Sequence, residues 1–185
     1  MKSINEKDFF EKYFTEYLKS RLDYNPETGI YTWKYRNGNT KEDKTFNARF
    51  AGKEAGSKNR KGYLMIKIDG NKHHAHKIAY LFMTGKLPEN QIDHINGNRS
   101  DNRWENLRAA TNEENQKNRK IGKSNTSGVM RVNWNKRQNK WCVRINVNKK
   151  RINLGVFENF NEAVKVRKEA EVKYGYHENH GRPNN

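Results

Sequence analysis

Cysteine is almost missing from this chain: one thiol, Cys142, occurs in 185 residues. That excludes an internal disulfide framework and any cysteine-based zinc site. Cys142 falls between Trp141 and Val143 in an alternating stretch, where it reads as an ordinary outward-facing strand residue. Apolar residues are also sparse, at 32% of the chain, too few for one large core and better suited to two or three modest modules. No apolar run approaches membrane-spanning length, and the opening MKSINEKDFFEKYF has no uninterrupted hydrophobic stretch of signal type. The expectation is a cytoplasmic protein with no membrane association.

Acidic residues vanish over one long segment. From Asn115 to Phe157 there is no Asp or Glu, while Lys117, Arg119, Lys120, Lys123, Arg131, Lys136, Arg137, Lys140, Arg144, Lys149, Lys150 and Arg151 all fall inside it. The formal net charge is +17. Such a stretch repels itself, so a polyanion is its natural counterpart, and each phosphate it neutralises releases counterions.

What is present is concentrated between Asp93 and Asn118, DHINGNRSDNRWENLRAATNEENQKN. An acid-histidine pair precedes two asparagines, a combination that can hold one divalent ion against a phosphodiester and take a proton from water. His94 is the candidate general base, because imidazole titrates near neutrality. Asp93 and Asn115 offer a carboxylate and a carboxamide oxygen, enough for a hard cation that keeps most of its ligands as water or substrate phosphate. Thr111 and Glu114 form a capping box, so a helix starts just after Thr111 and carries Asn115 and Asn118 on one face. Before it, Gln91 to His94 reads as a short strand, Asn96-Gly97-Asn98 as a tight loop and Trp104 to Arg108 as the returning strand.

This segment resembles the HNH homing endonucleases of bacteriophages, with the ββα-metal (His-Me finger) fold. The resemblance implies His94 as general base, Asp93 and Asn115 as metal ligands, and Asn106, in ENLR, as the brace that fixes the loop bearing His94. It departs from a literal His-Asn-His pattern at Asn115, where many members have His, and this favours Mg²⁺, with Mn²⁺ as a substitute, over Zn²⁺. The histidines 73, 74 and 76 have no nearby cysteine or carboxylate and match a closed tetrahedral site poorly. His76 is instead expected to pack beside the catalytic loop or touch a phosphate.

The flanking regions complete an α+β fold. Residues 1–60 open with an amphipathic helix, with Phe9, Phe10, Tyr13, Phe14, Tyr17 and Leu18 at helical spacing. The turn Asn25-Pro26-Glu27-Thr28-Gly29 then leads into a strand from Ile30 to Tyr35, followed by a polar loop to about Arg60. In the nuclease domain, 61–118, Gly62 to Asp69 alternates like a strand, Asp69-Gly70 signals a hairpin, and Ala75 to Thr84 is a helix stopped at Gly85. Residues 119–126 read as a basic linker and 179–185 as a tail, with fraying expected from His177 onward.

Residues 127–178 read as a three-stranded antiparallel sheet packed on one helix. The strands are Val129 to Trp134, Trp141 to Val147 and Arg151 to Phe157; Asn159 and Glu162 box the start of a helix with Phe160, Ala163, Ala170 and Tyr174 on one stripe. Alternation turns Val132, Val143, Ile145, Ile152, Leu154 and Val156 toward that helix. It leaves Arg131, Asn133, Arg144, Asn146, Arg151 and Asn153 on an open face, where Arg can pair with guanine and Asn with adenine. The words SGVMRVNWNKRQNKW, LGVF and NEAV resemble the Apetala/ethylene-response-factor DNA-binding domain, although Arg131 stands where that family has Gly. The resemblance adds Trp134 to the residues that face DNA.

The expected function is a site-specific, metal-dependent DNA endonuclease acting as a monomer on double-stranded DNA by a one-metal mechanism. Two alternatives stand beside it. One is a non-catalytic sequence-specific DNA-binding regulator; the other is a basic RNA- or ribosome-associated protein, which an exposed aromatic face would favour over one of Arg and Asn.

Overall fold

A computed structural model describes residues 6–183, so readings made of residues 1–5 and of Asn184 and Asn185 lie outside it. The chain divides into two units, Met1–Ala109 and Ala110–Asn185. Helices and antiparallel sheets make it α+β, as the sequence pattern implies. No helix among the described residues is long and apolar enough to cross a membrane.

In the first unit, α1 (Glu6–Arg21) carries acids in its first turn and bases in its last, matching the helix dipole. Its buried residues are Glu11, Thr15 and Leu18, with Phe14 and Tyr17 packed on the core. Phe9, Phe10 and Tyr13, expected to pack, are 66%, 55% and 67% exposed. The helix contacts α3 and β1, and its interior face includes a polar bond, the Glu11 carboxylate accepting from Leu87 N at 3.2 Å. Strands β1 (Leu22–Tyr24) and β2 (Tyr31–Trp33) pair around the predicted turn, in which Asn25 Oδ1 accepts from Glu27 N and Thr28 N. Helix α2 (Lys41–Phe50) falls where a polar loop was expected. None of its residues is buried, so no apolar stripe announced it. It is held by Thr40 capping Asp43 N, by the Asn47 amide pairing both ways with the Arg36 backbone, and by Phe46 between Trp33 and the Arg36 guanidinium.

Strands β3 (Ser57–Lys58), β4 (Leu64–Ile68) and β5 (Asn71–His74) follow, with the β4–β5 hairpin at Asp69-Gly70 in the positive-φ conformation that this dipeptide favours. Helix α3 (Ala75–Thr84) ends at Gly85 in the left-handed region. Strand β6 (Gln91–His94) pairs with β7 (Leu107–Ala110). The returning strand thus starts later than its sequence suggested, because Trp104–Asn106 forms a 3₁₀ turn. The core of this unit joins Leu18, Tyr31, Ile66, Ile78, Leu81 and Leu107.

The second unit starts with α4 (Asn112–Lys117), whose Thr111–Glu114 capping box is complete. Strands β8 (Val132–Asn135), β9 (Lys140–Val147) and β10 (Lys150–Phe157) run antiparallel in the order β10-β9-β8, and α5 (Phe160–Lys173), capped by Asn159, covers one face. Three expectations change here. A register shift between Asn153 and Gly155 reverses the alternation, so Val156 is 46% exposed and Phe157 joins the core in its place. The buried stripe of α5 is Ala163, Arg167, Ala170 and Glu171. Arg167 is fully enclosed, donating to Met130 O at 3.0 Å and pairing with Glu171 at 3.2 Å. Nor does the tail fray after His177: Gly181 N bonds Arg119 O, Ile121 N bonds Arg182 O, and Arg182 Nη1 reaches both oxygens of Asn118 at 2.8 Å. The basic segment after α4 is therefore tied to the end of the chain.

Gly29 shows how closely the first unit is packed. Its φ is +71°, and a Cβ there would collide with the backbone of Asn102 and Arg103. Gly52 has a similar φ of +76° with open space around it. Gly52→Ala should cost about 1–2 kcal/mol, the backbone penalty alone, and Gly29→Ala clearly more; urea unfolding of the two variants checks the difference.

Candidate functional site

His94 closes β6 and is 3% exposed. The chain then enters a loop organised by asparagine side chains. Asn96 Oδ1 accepts from Asn98 N, Asn98 Oδ1 accepts from Ser100 N, and Asn96 Nδ2 donates to the Asp101 carboxylate at 2.7 Å. Asn106 spans the loop from inside: its Oδ1 accepts from Asn96 N at 2.9 Å, its Nδ2 donates to Asp101 O at 2.8 Å, and its own carbonyl accepts from Ile95 N. Both ends of the loop that follows His94 are thereby fixed by one buried side chain.

Sequence reasoning missed a second asparagine. Asn102 is 1% exposed, and its Oδ1 lies 3.4 Å from His94 Nε2. Donation from Nε2–H to this oxygen makes Nδ1 the basic nitrogen of the ring. The Asn102 carbonyl accepts from the Tyr24 hydroxyl at 2.7 Å, so β1 supports the loop from below. The signal in the sequence was the DNR word, whose Asn can be placed opposite His94 only once the loop is closed.

Asp93 points to a different neighbour, the Arg108 guanidinium on β7, at 3.1 Å. Around His94 the rings are dense. His76 lies edge-on to it at 5.1 Å, His74 lies 5.0 Å from His76, and Tyr63 touches all three. His76 thus packs beside the loop, whereas His73 sits against Phe14. Among the described residues no three His, Cys, Asp or Glu side chains converge where a metal ion could be held. Asn115 lies on α4, in the second unit, behind the Thr111 cap.

Burial biases His74, His76 and His94 toward the neutral form. Burial lowers the proton affinity of His94, opposed by the Asn102 hydrogen bond and the Asp93 and Asp101 charges. His76 is pushed down to about 3, by burial first and then by His94 and His74. A neutral imidazole held by one nitrogen can accept a proton at the other.

In the second unit, Asn133, Arg144, Asn146, Arg151 and Asn153 share the face of the sheet away from α5. Cross-strand pairing sets Arg144 opposite Asn153 and Asn146 opposite Arg151. Arg131, just before β8, has φ 62° and accepts Arg144 N on its carbonyl at 3.0 Å. Trp134 is not with them: it pairs with Trp141, 5.2 Å ring to ring, and Trp141 packs on Phe160, so Trp134 lies at the rim of the helix-covered side. A recess of about 370 Å³ lined by residues 133–137, Cys142 and Arg144 opens on this unit.

Comparison with known proteins gives these placements a context. Residues 73–117 match the model of the HNH endonuclease family, so the chain carries an HNH endonuclease domain there. A stretch of 58 residues is 43% identical to Protein 3.8 of Escherichia phage T7, covering 31% of this chain and 48% of that protein. The chain thus spans about half the length of the curated relative it matches. No solved structure matches it.

The buried histidines make stability pH-dependent with a definite sign. The unfolded chain protonates His76 near the ordinary 6.5, the folded one only near about 3. Stability is complete above pH 6.5 and is lost progressively as pH falls toward about 3, because only the unfolded state takes up the proton. Unfolding measured between pH 7 and pH 4 should show this decline, weakened in His76→Phe.

Proposed function

We propose that this chain is a site-specific, metal-dependent DNA endonuclease of the homing type, in which the 61–118 region cleaves and the 127–178 region, of Apetala/ethylene-response-factor character, grips duplex DNA. The observation that carries the reading is the pairing of Asp93 and His94 at the end of β6, with the following loop locked by Asn106 and Asn102, inside the segment that matches the HNH family. His94 is the general base. A water molecule gives its proton to His94 as its oxygen bonds to phosphorus; the opposite P–O ester bond breaks, and the departing oxygen takes a proton from solvent.

The donor chemistry of the chain suits a hard cation. Asp93 and Asn115 supply a carboxylate and a carboxamide oxygen, no cysteine is near, and a cation with few protein ligands is what Mg²⁺ accepts. One Mg²⁺, with Mn²⁺ as a substitute, would polarise the phosphodiester and stabilise the leaving oxygen when bound. Arg108 holds Asp93 in place for this role. On the second unit, Arg144, Arg151, Asn133, Asn146 and Asn153 face the bases, Arg131 contributes from the start of β8, and Trp134 flanks them from the rim. One site per chain favours a monomer that nicks one strand within the cytoplasm of a phage-infected bacterium, with dimerisation or sequential cuts as the routes to a double-strand break.

Incubating supercoiled plasmid with the chain and Mg²⁺ tests the reading directly. Wild type should convert plasmid to nicked circles, and His94→Ala should lose at least about 100-fold in rate while binding duplex DNA as tightly as wild type. Tight binding by a wild-type chain that never nicks would instead favour a non-catalytic DNA-binding regulator.

A further inference from the structure

The loop after His94 presents one cation whose place is unusual. Arg99 is exposed, yet it is held at two points: Nη1 donates to Lys61 O at 3.0 Å, and the guanidinium lies 4.9 Å from the Tyr63 ring centre. Tyr63 in turn packs on the ring of His94 at 6.1 Å. The backbone under Arg99 is fixed as well, by the Asn96 turn just before it and the Asn98 turn that spans it.

Other guanidiniums of this unit pair with carboxylates: Arg103 with Asp101 and Glu105, Arg108 with Asp93, and Arg36 with Asp43 and Asp69. None of the ion pairs among the described residues includes Arg99. A guanidinium fixed in place, exposed and without a carboxylate is pre-organised for an anion, because little side-chain freedom remains to be lost on binding. The two holding contacts use one N–H and one ring face, leaving further N–H groups in the planar fork that suits phosphate oxygens.

We infer that Arg99 grips the scissile phosphate beside His94, donating to its non-bridging oxygens. The inference rests on the nuclease reading for the word scissile, but not for the phosphate contact. Negative charge grows on those oxygens as water attacks, so Arg99 binds the transition state more tightly than the ground state. Sequence patterns give no hint of this role, since Arg99 reads there as one more charge in a polar loop.

Two readouts on the full chain test it. In EDTA, the affinity for a labelled DNA duplex is measured against salt; in Mg²⁺, single-turnover nicking is measured on the same variants. Arg99→Ala should reduce the slope of log affinity against log salt by about one and slow nicking by about 100-fold. Arg99→Lys should keep the slope but recover only part of the rate. Arg99→Met keeps the stem on Tyr63 without the charge, and it must lose the same slope, which covers an alanine variant that melts early. An unchanged slope in variants that melt like wild type overturns the phosphate contact. A lost slope with an unchanged nicking rate overturns its place at the scissile phosphate. Should the wild type nick nothing, the nuclease reading falls, and the slope alone judges the phosphate contact.

Discussion

The site depends on one buried carboxamide. Asn106 is 5% exposed, and both ends of its side chain are used, one on Asn96 N and one on Asp101 O. Removing it would leave a donor and an acceptor inside the protein without partners, at about 1–3 kcal/mol for each. More matters than stability, because those two bonds set the distance across the loop. With that distance fixed, Asn102 comes within reach of His94 Nε2, and the tautomer of the ring follows. Tyr24 and Gly29 hold the same loop from the N-terminal hairpin, which ties a turn far away in sequence to the chemistry of one imidazole.

The parts of this arrangement that depend on local chemistry were legible in the sequence. The Thr111–Glu114 box, the Asp69-Gly70 hairpin and the Gly85 stop each rest on a few adjacent residues, and each forms as their chemistry dictates. What failed to show depends on neighbours that the sequence does not name. Helix α2 has no buried residue, so periodicity could not announce it. Phe9, Phe10 and Tyr13 have helical spacing but lie on the outer side of α1, whose inward face is made by Glu11, Phe14, Thr15 and Leu18. In the site, Asp93, His94 and Asn106 were visible as residues, but the Arg108 contact of Asp93 and the Asn102 contact of His94 needed the closed loop.

The second unit separates its charges in a way composition conceals. Most of its cations stay outside, and the sheet face away from α5 alternates Arg and Asn across β9 and β10. Arg167 goes the other way. It is enclosed between Met130 O, Glu171, His180 and Tyr176, where a charge is tolerable only because each contact partly replaces water. That network draws the end of the chain against the helix, and the Arg182–Asn118 bonds carry the hold back to the segment after α4. The register shift at Asn153 then trades Val156 for Phe157 in the core, so the outer face carries Val156 opposite Cys142 among its polar residues.

Packing three imidazoles around Tyr63 has a consequence for their protonation. Burial is the largest cause of the lowered proton affinity at each ring; His76 is lowered further by His94 and His74, Lys77 adds repulsion at His74 and His76, and Arg99 adds it at His94, where the Asn102 hydrogen bond and the Asp93 and Asp101 charges act the other way. The bias toward the neutral form at all three rings thus follows from burial first, with nearby cations adding to it and, at His94, the Asp93 and Asp101 charges offsetting part of it.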